Sequence, residues 1–410
     1  MNKNTKSMIF SLQVIAYKGY MNVLKTAAKI IPMPKPTLFT GSGSSLKLCE
    51  AIAQMGTSKV LIVTDTVLIK LGLLDNIQQK LTDNNVQFAV YDGVLPDPNY
   101  AQVESGLALY KSSGCDAILA VGGGSPIDAA KVIAARVNNH REIKKLTGLF
   151  KVWKAPAPLF AIPTTAGTGS EVTIAAVVSD PVTHKKTPLI DPKLVPMMAS
   201  LDASLMTGLP AHVTSATGMD ALTHAVEAFI SMNASSDTDA YAIAATKLIS
   251  QNLSIVVHNG TNLEARQNMA MASYYAGLAF TKASLGYVHA ISHNLGAKYG
   301  IPHGLANAIV LPYVLEYSKA EIAPRLAKLS RVCGLGTAGD SDKELAQLFI
   351  DHIRSMLKEY GISSQLDALK IEDVAEIAQA ALKEAHFNYP VPKYMDQTQC
   401  EKLIGQMLVS

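Results

Sequence analysis

The sequence predicts two domains of different class: an α/β domain on a parallel sheet over residues 1–209, then an all-helical domain over residues 210–410. Two observations predict it. From about Thr37 to Leu209, short β-rich apolar runs alternate with helical stretches, the order that gives a parallel sheet with right-handed crossovers. Proline then disappears between Pro210 and Pro302, a stretch rich in the helix formers Ala, Met and Leu.

Taken in order, Lys59–Thr64, Ala117–Val121 and Leu159–Ile162 are continuous apolar runs closed by Gly, Pro, Asp or Thr. Runs of this length and composition read as strands buried on both faces. Helical segments lie between them, Gly72–Asn84 and Asn99–Ser113 among them. In the second half, Thr217–Ser231, Asp237–Val257, Ile322–Cys333, Asp342–Tyr360 and Ile371–His386 carry helical periodicity. No repeat or low-complexity linker separates the halves, so the domains are expected to pack closely around a cleft.

Composition narrows the functional classes. The 410 residues correspond to two or three domains at roughly 150 residues each. With 49% hydrophobic and 17% charged residues, the chain can bury large cores, which excludes global disorder. The net charge of +3 comes without blocks of Lys or Arg, so nucleic acid is not an expected partner. Cys49, Cys115, Cys333 and Cys400 form no Cys-x-x-Cys pair, which fits a reducing, cytoplasmic compartment. No apolar run reaches the roughly 18 residues of a spanning helix, so no membrane partner is expected. Met8–Ala16 is apolar and follows Lys3 and Lys6, but Tyr17-Lys18-Gly19-Tyr20 stands where a signal peptide needs a small-residue cleavage site. A helix packed on the domain or its partner is expected there instead.

The segment Cys115-Asp-Ala-Ile-Leu-Ala-Val-Gly-Gly-Gly-Ser-Pro-Ile-Asp-Ala-Ala-Lys131 runs from strand to glycine turn to helix. Ser125 is expected as the N-cap and Pro126 as the first helical residue. A helix N-terminus presents unpaired N–H groups and partial positive charge, and glycines let a pyrophosphate approach that backbone. A glycine triplet after a strand is equally a tight βα turn. Asp65, closing the first strand, is placed to accept hydrogen bonds from ribose hydroxyls and to repel a 2′-phosphate, favouring NAD over NADP; a helix N-cap explains it as well. The loop Ile162-Pro-Thr-Thr-Ala-Gly-Thr-Gly-Ser-Glu-Val172 concentrates hydroxyls and glycines suited to phosphate and ribose, or to a polar turn. The G-x-G-x-x-G fingerprint is absent, so a dinucleotide site here is of another kind.

Four histidines fall in two short stretches. In Gly218-Met-Asp-Ala-Leu-Thr-His-Ala-Val-Glu227, Asp220 and His224 are four apart and share one helix face. In Gly286-Tyr-Val-His-Ala-Ile-Ser-His-Asn-Leu-Gly296, His289 and His293 do the same, and His303 follows in a Pro/Gly turn. A lone Asp–His pair is usually capped or solvated. Here the pairs lie in otherwise apolar helices, where polar side chains without partners are costly and a metal ion supplies one.

These stretches, in this order and spacing, resemble the iron-containing (group III) alcohol dehydrogenase family. The matching pieces are Gly122–Lys131, Pro163–Val172, Gly218–Glu227, Gly286–Gly296 and Pro302–Gly304, and the likeness runs from about Pro36 to the C-terminus. It implies an N-terminal dinucleotide-binding domain and a helical C-terminal metal-binding domain, the architecture shared with dehydroquinate synthase. The family's metal ligands fall on Asp220, His224, His289 and His303. His293 matches a histidine near the metal that is not a ligand and is the candidate catalytic residue. Cofactor contacts fall on Asp65, Gly122, Gly123, Gly124, Ser125, Asp128, Thr164, Thr165, Thr168 and Lys186. Two positions depart from the pattern: Ala175 stands where some relatives have Asn, and the loop around Pro96-Asp97-Pro98 lacks a common Asn. The first thirty or so residues lie outside the likeness.

The resemblance implies hydride transfer between NAD and a small alcohol or aldehyde, with a divalent metal polarising the substrate oxygen. The family names iron, and three imidazoles with one carboxylate suit Fe(II) or Zn(II). The proton leaves through His293 or a cofactor ribose hydroxyl. A glycerol-type polyol dehydrogenase is the near alternative. A metal- and NAD-dependent lyase like dehydroquinate synthase is the distant one, since it needs cations around the metal and only Lys282 and Lys298 stand near these motifs. A non-catalytic relative is disfavoured because all four ligands are present. An edge strand near Pro36–Phe39 is a candidate for pairing in a homo-oligomer, a dimer being the simplest.

Overall fold

The computed structural model describes residues 3–28, 33–181 and 186–409. Its strands are β1 (Thr37–Thr40), β2 (Lys59–Val63), β3 (Gln87–Tyr91), β4 (Ala117–Gly122), β5 (Gly148–Leu149), β6 (Leu159–Pro163), β7 (Ala175–Ser179), β8 (Lys186–Ile190) and β9 (Met198–Leu201). Six of them form one sheet in the order β1-β9-β6-β4-β2-β3, parallel at every pairing. A smaller sheet has the order β5-β8-β7. The helices of this half are α1 (Lys3–Ala28), α2 (Ser44–Gln54), α3 (Thr66–Lys70), α4 (Asp75–Asp83), α5 (Tyr100–Ser112), α6 (Gly124–Asn138) and α7 (Ile143–Leu146).

The unbroken apolar strands follow from burial on both faces. On β2, Val60 and Ile62 belong to a core with Leu48 and Ile52 of α2 and Ile77 and Leu81 of α4. Leu61 and Val63 point the other way, into a core with Val103 and Leu107 of α5 and Ile127 and Ile133 of α6. Alternate residues thus serve opposite layers, so every position is apolar. The chain leaves β2 toward β3 but leaves β4 toward β6, in opposite directions from two neighbouring strands. Open α/β sheets form their ligand crevice at such a switch, beyond the carboxyl ends of the strands. Asp65 and Gly122 stand at those two ends.

From Ala211 onward the regular elements are helical: α8 (Ala211–Ile230), α9 (Ser236–His258), α10 (Leu263–Ala283), α11 (Tyr287–Tyr299), α12 (His303–Val332), α13 (Asp342–Glu359), α14 (Val374–Asn388) and α15 (Gln397–Gly405). The sequence placed a helix only at Ile322–Cys333, whereas α12 runs for 30 residues through Pro312 and Pro324. An internal proline costs about 3 kcal/mol or more. Burial of Ile309, Leu311, Leu315, Ile322 and Leu326 along the same helix offsets it. By length and composition α9 could cross a membrane. In this fold its Ala242, Ile249, Leu253 and Val256 are buried in the helical core. The N-terminal segment is helical, as expected, and α1 docks on α14 and the segment after it: the Tyr17 ring lies 4.8 Å from His386 of α14 and 5.7 Å from Tyr394 beyond it.

Candidate active site

The glycine turn closes β4. Gly122 has φ +153, and a Cβ there would sit 2.5 Å from Pro126 Cγ, so only glycine allows this turn. That tight turn starts the helix earlier than the sequence reading. The N-cap is Gly123 rather than Ser125, and Ser125 and Pro126 lie inside the first turn of α6. No side chain caps α6, which leaves its first N–H groups to a ligand or solvent. Asp65 follows β2 as the N-cap of α3, with Oδ1 accepting from Val67 N at 2.9 Å and Leu68 N at 3.0 Å.

The loop after β6 arches over this turn. Thr165 and Thr168 are the nearest neighbours of the missing Cβ positions of Gly123 and Gly124, while Thr164 is buried and its N–H bonds Gly122 O at 3.0 Å. Residues of α6 tie the loop down. Asp128 accepts from Ser170 Oγ at 2.5 Å and Val177 N at 2.9 Å. The fully buried Lys131 donates to Thr173 O, Thr173 Oγ1 and Ala175 O at 2.7–3.0 Å. Burial pushes the Lys131 ammonium down to about 8 against the pull of Asp128 and Glu171. Both carboxylate oxygens of Asp128 therefore serve the loop. Lys186 pairs with Asp97 at 2.7 Å and is near enough to His303 to influence its protonation.

The same loop reaches the second domain. Gly169, at φ +61, has its Cβ position 2.9 Å from Gly277 Cα of α10, so a side chain there would push the two domains apart. Gly167 O accepts from His224 Nδ1 at 3.3 Å. This bond leaves His224 Nε2 as the lone-pair nitrogen.

Asp220, His224, His289 and His303 converge: one ligand atom from each lies within 4.8 Å of all the others. His303 Nε2 is 3.7 Å and His224 Nε2 3.9 Å from Asp220 Oδ1. A tetrahedral ion with bonds of ~2.1 Å needs donor atoms about 3.4 Å apart, so both Asp220 pairs lie within about half an ångström of that spacing, while the widest pair would close by up to about 1.4 Å. Asn307, one turn after His303, marks the point they face. Its Nδ2 is 2.7 Å from Asp220 Oδ1 and 3.1 Å from Nε2 of both His289 and His303, while its Oδ1 is buried without a partner. An amide nitrogen has two hydrogens for those three acceptors. Such a donor set, short of a cation, fits a divalent metal.

Glu227 sits behind it. Its Oε2 is 2.5 Å from His289 Nδ1, and its Oε1 accepts from Val288 N at 2.8 Å. The Gly286 N–H adds a further bond, so this carboxylate caps α11, whose own N-cap offers no side chain. Burial pushes Glu227 up to about 7 against those N–H bonds. Burial, reinforced by His224, holds His289 well below 6.5; His303, whose side chain is 28% exposed, shifts in the same direction through its partial burial. Burial thus favours the neutral imidazole, the form a metal needs.

His293 lies beside the cluster without joining it, its ring stacked 5.2 Å from that of His303. Phe280 stacks 4.4 Å from the His224 ring. Lys282 and Lys298, the cations that a phosphorylated substrate would need, are turned to carboxylates: Lys282 to Asp237, Lys298 to Asp373 and Glu376. Sequence reasoning missed three residues. Glu227 had a signal, standing three residues after His224 on the ligand face, and so did Asn307, four after His303. Glu384, bonded to His293 from a distant helix, had none.

Residues 35–203 match the model for iron-containing alcohol dehydrogenases, and residues 214–408 match that for the C-terminal part of the Fe-containing alcohol dehydrogenase family. The chain belongs to the iron-containing alcohol dehydrogenase family. It is an NAD-linked oxidoreductase of alcohols and aldehydes, as the resemblance implied. It is 38% identical to Alcohol dehydrogenase 4 of Schizosaccharomyces pombe, over 90% of this chain and 88% of that protein. It is likewise 38% identical to the NAD-dependent methanol dehydrogenase of Bacillus methanolicus, over 85% and 92%. A solved 1,3-propanediol oxidoreductase superposes with a TM-score of 0.89 at 36% identity, over 92% of this dehydrogenase and 100% of that chain.

Proposed function

We propose that Asp220, His224, His289 and His303 hold one divalent cation, iron(II) with zinc(II) as the alternative. Asp65, Gly122 to Ser125, Asp128, Thr164, Thr165, Thr168 and Lys186 form the NAD site. The observation that carries this reading is the His224–Gly167 hydrogen bond, which joins the ligand cluster to the loop over the glycine turn. When bound, the cation supplies Lewis acidity at the substrate oxygen and the dinucleotide accepts the hydride. The chain's own residues do the rest. The first turn of α6 binds the pyrophosphate through N–H groups. Asp128 acts by holding the Ser170–Val177 segment, and Phe280 limits the space beside His224. His293, a quarter exposed, takes the substrate proton. The names of the methanol and propanediol relatives support a small alcohol or its aldehyde as substrate.

Residues 1–209 and 210–410 are the two units of this reading, with the cleft between them. The free edge of β1 supports pairing into a homodimer, and the four free cysteines support a cytoplasmic setting.

The test is metal analysis of protein purified without oxygen, coupled to NAD reduction with a panel of short alcohols. About one ion per chain and alcohol-dependent NADH are expected from the four-ligand site; metal-free protein with full activity overturns the proposal. Asp65 separates two roles in one substitution. Asp65→Asn keeps a good N-cap but removes the charge that excludes a 2′-phosphate. The NADP-to-NAD ratio of kcat/KM is expected to rise about tenfold, with Tm unchanged; an unchanged ratio leaves Asp65 as a cap alone.

A further inference from the structure

Glu384 of α14 faces His293 of α11 across the edge of the cleft. Its Oε1 lies 2.8 Å from His293 Nδ1 and 2.8 Å from the Tyr389 hydroxyl. Tyr389 is held as an O–H donor, because burial first and the Glu384 charge second raise its phenol well above 10. One carboxylate oxygen thus receives two donors, one from the imidazole and one from the phenol. A carboxylate only accepts, so the His293 nitrogen facing it carries the proton and Nε2 carries the lone pair. The side chains of His293 and Glu384 are 25% and 27% exposed, so the pair borders the same open space as the ligand His303, at 28%, while Asp220, His224 and His289 behind it are almost wholly buried.

We infer that Glu384, steadied by Tyr389, is a positioning residue that fixes His293 in its Nδ1–H tautomer and so makes Nε2 the proton acceptor for the alcohol. This rests on the alcohol dehydrogenase reading above. In oxidation the substrate O–H bond breaks and its proton joins Nε2, while the carbon-bound hydrogen leaves with its electron pair to NAD. Nδ1–H stays on Glu384, whose charge stabilises the imidazolium until Nε2 returns the proton to water. Removing Glu384 frees the ring to take the other tautomer, with the proton on the nitrogen that must be bare.

The test uses zinc-loaded, [15N]histidine-labelled protein, with His293→Gln identifying the His293 signals. Wild type is expected to show a protonated Nδ1 and an unprotonated Nε2. Glu384→Leu is expected to move the proton toward Nε2 and to lower kcat about tenfold, a part of the 10²–10⁴ that a general base contributes. KM and zinc content stay unchanged. Glu384→Gln, which keeps an acceptor oxygen, is expected to retain the tautomer and most of kcat. In a His293→Gln background, Glu384→Leu should cost nothing further, since residues acting as one unit are not additive. An Nε2–H wild type, an unmoved tautomer in Glu384→Leu or an additive loss overturns the inference. Tyr389→Phe serves if Glu384→Leu does not fold; it is expected to lower kcat roughly threefold, and no change overturns the inference. Failure of the alcohol dehydrogenase reading shows separately, as zinc-loaded wild type that reduces no NAD with any alcohol.

Discussion

Asp220→Ala is expected to lose its metal and to lower kcat/KM at least about 10³-fold, because the Lewis acid contributes several kcal/mol of transition-state stabilisation. Asp220 is the single anionic ligand in the cluster and is 2% exposed. Burial works to raise its pKa, yet the imidazoles of His224, His303 and His289 and the Asn307 amide together hold it below the ordinary 3.8. The charged carboxylate is therefore the favoured form in the cluster. Without it, three neutral nitrogens face a dication with no compensating charge. Asp220→Asn controls for shape, since it keeps the side-chain volume and removes the charge. Metal content by elemental analysis and turnover with a short alcohol are measured on the same samples. Full metal with full activity in Asp220→Ala would falsify the ligand assignment.

Glu227→Ala is expected to weaken zinc binding by roughly 10- to 100-fold, the usual cost of removing a carboxylate behind a metal-bound histidine. The 2.5 Å contact with His289 Nδ1 sets that ring's tautomer and aims Nε2 into the cluster. The carboxylate also caps α11 through Val288 and Gly286, so a loss of about 1 kcal/mol in stability is expected alongside. Glu227→Gln keeps a hydrogen-bond acceptor and should fall between the two. Competition against a chromophoric chelator reads affinity, and urea unfolding of metal-free protein reads stability. Lost stability with unchanged affinity would reduce Glu227 to a helix cap.

Much of this was legible because the signals were local. The buried strands announced themselves as unbroken apolar runs, and Asp220–His224 and His289–His293 by the four-residue repeat of a helix face. The start of α6 was misplaced because a side-chain rule, serine before proline, was applied where the backbone of Gly122 decides the turn. The length of α12 was hidden because proline is a local penalty while its compensation is tertiary. The glycines at 167 and 169 looked like phosphate-loop glycines. The structure shows Gly169 allowing contact with α10 and Gly167 binding His224. Glu384 was beyond reach, since 91 residues separate it from His293 and no periodicity links them. The helix α1, outside the family match that starts at residue 35, was foreseen as a helix packed on the domain or its partner, and only its seat on α14 emerged from packing.

The most direct measurement is an anomalous difference map at the iron edge, from crystals grown with ferrous iron and NAD. One peak is expected, about 2.0–2.3 Å from a carboxylate oxygen of Asp220 and from Nε2 of His224, His289 and His303. The dinucleotide should lie between that peak and the turn at Gly122. A peak held by other side chains, or a dinucleotide bound away from the ion, would contradict a single cleft shared by metal and cofactor.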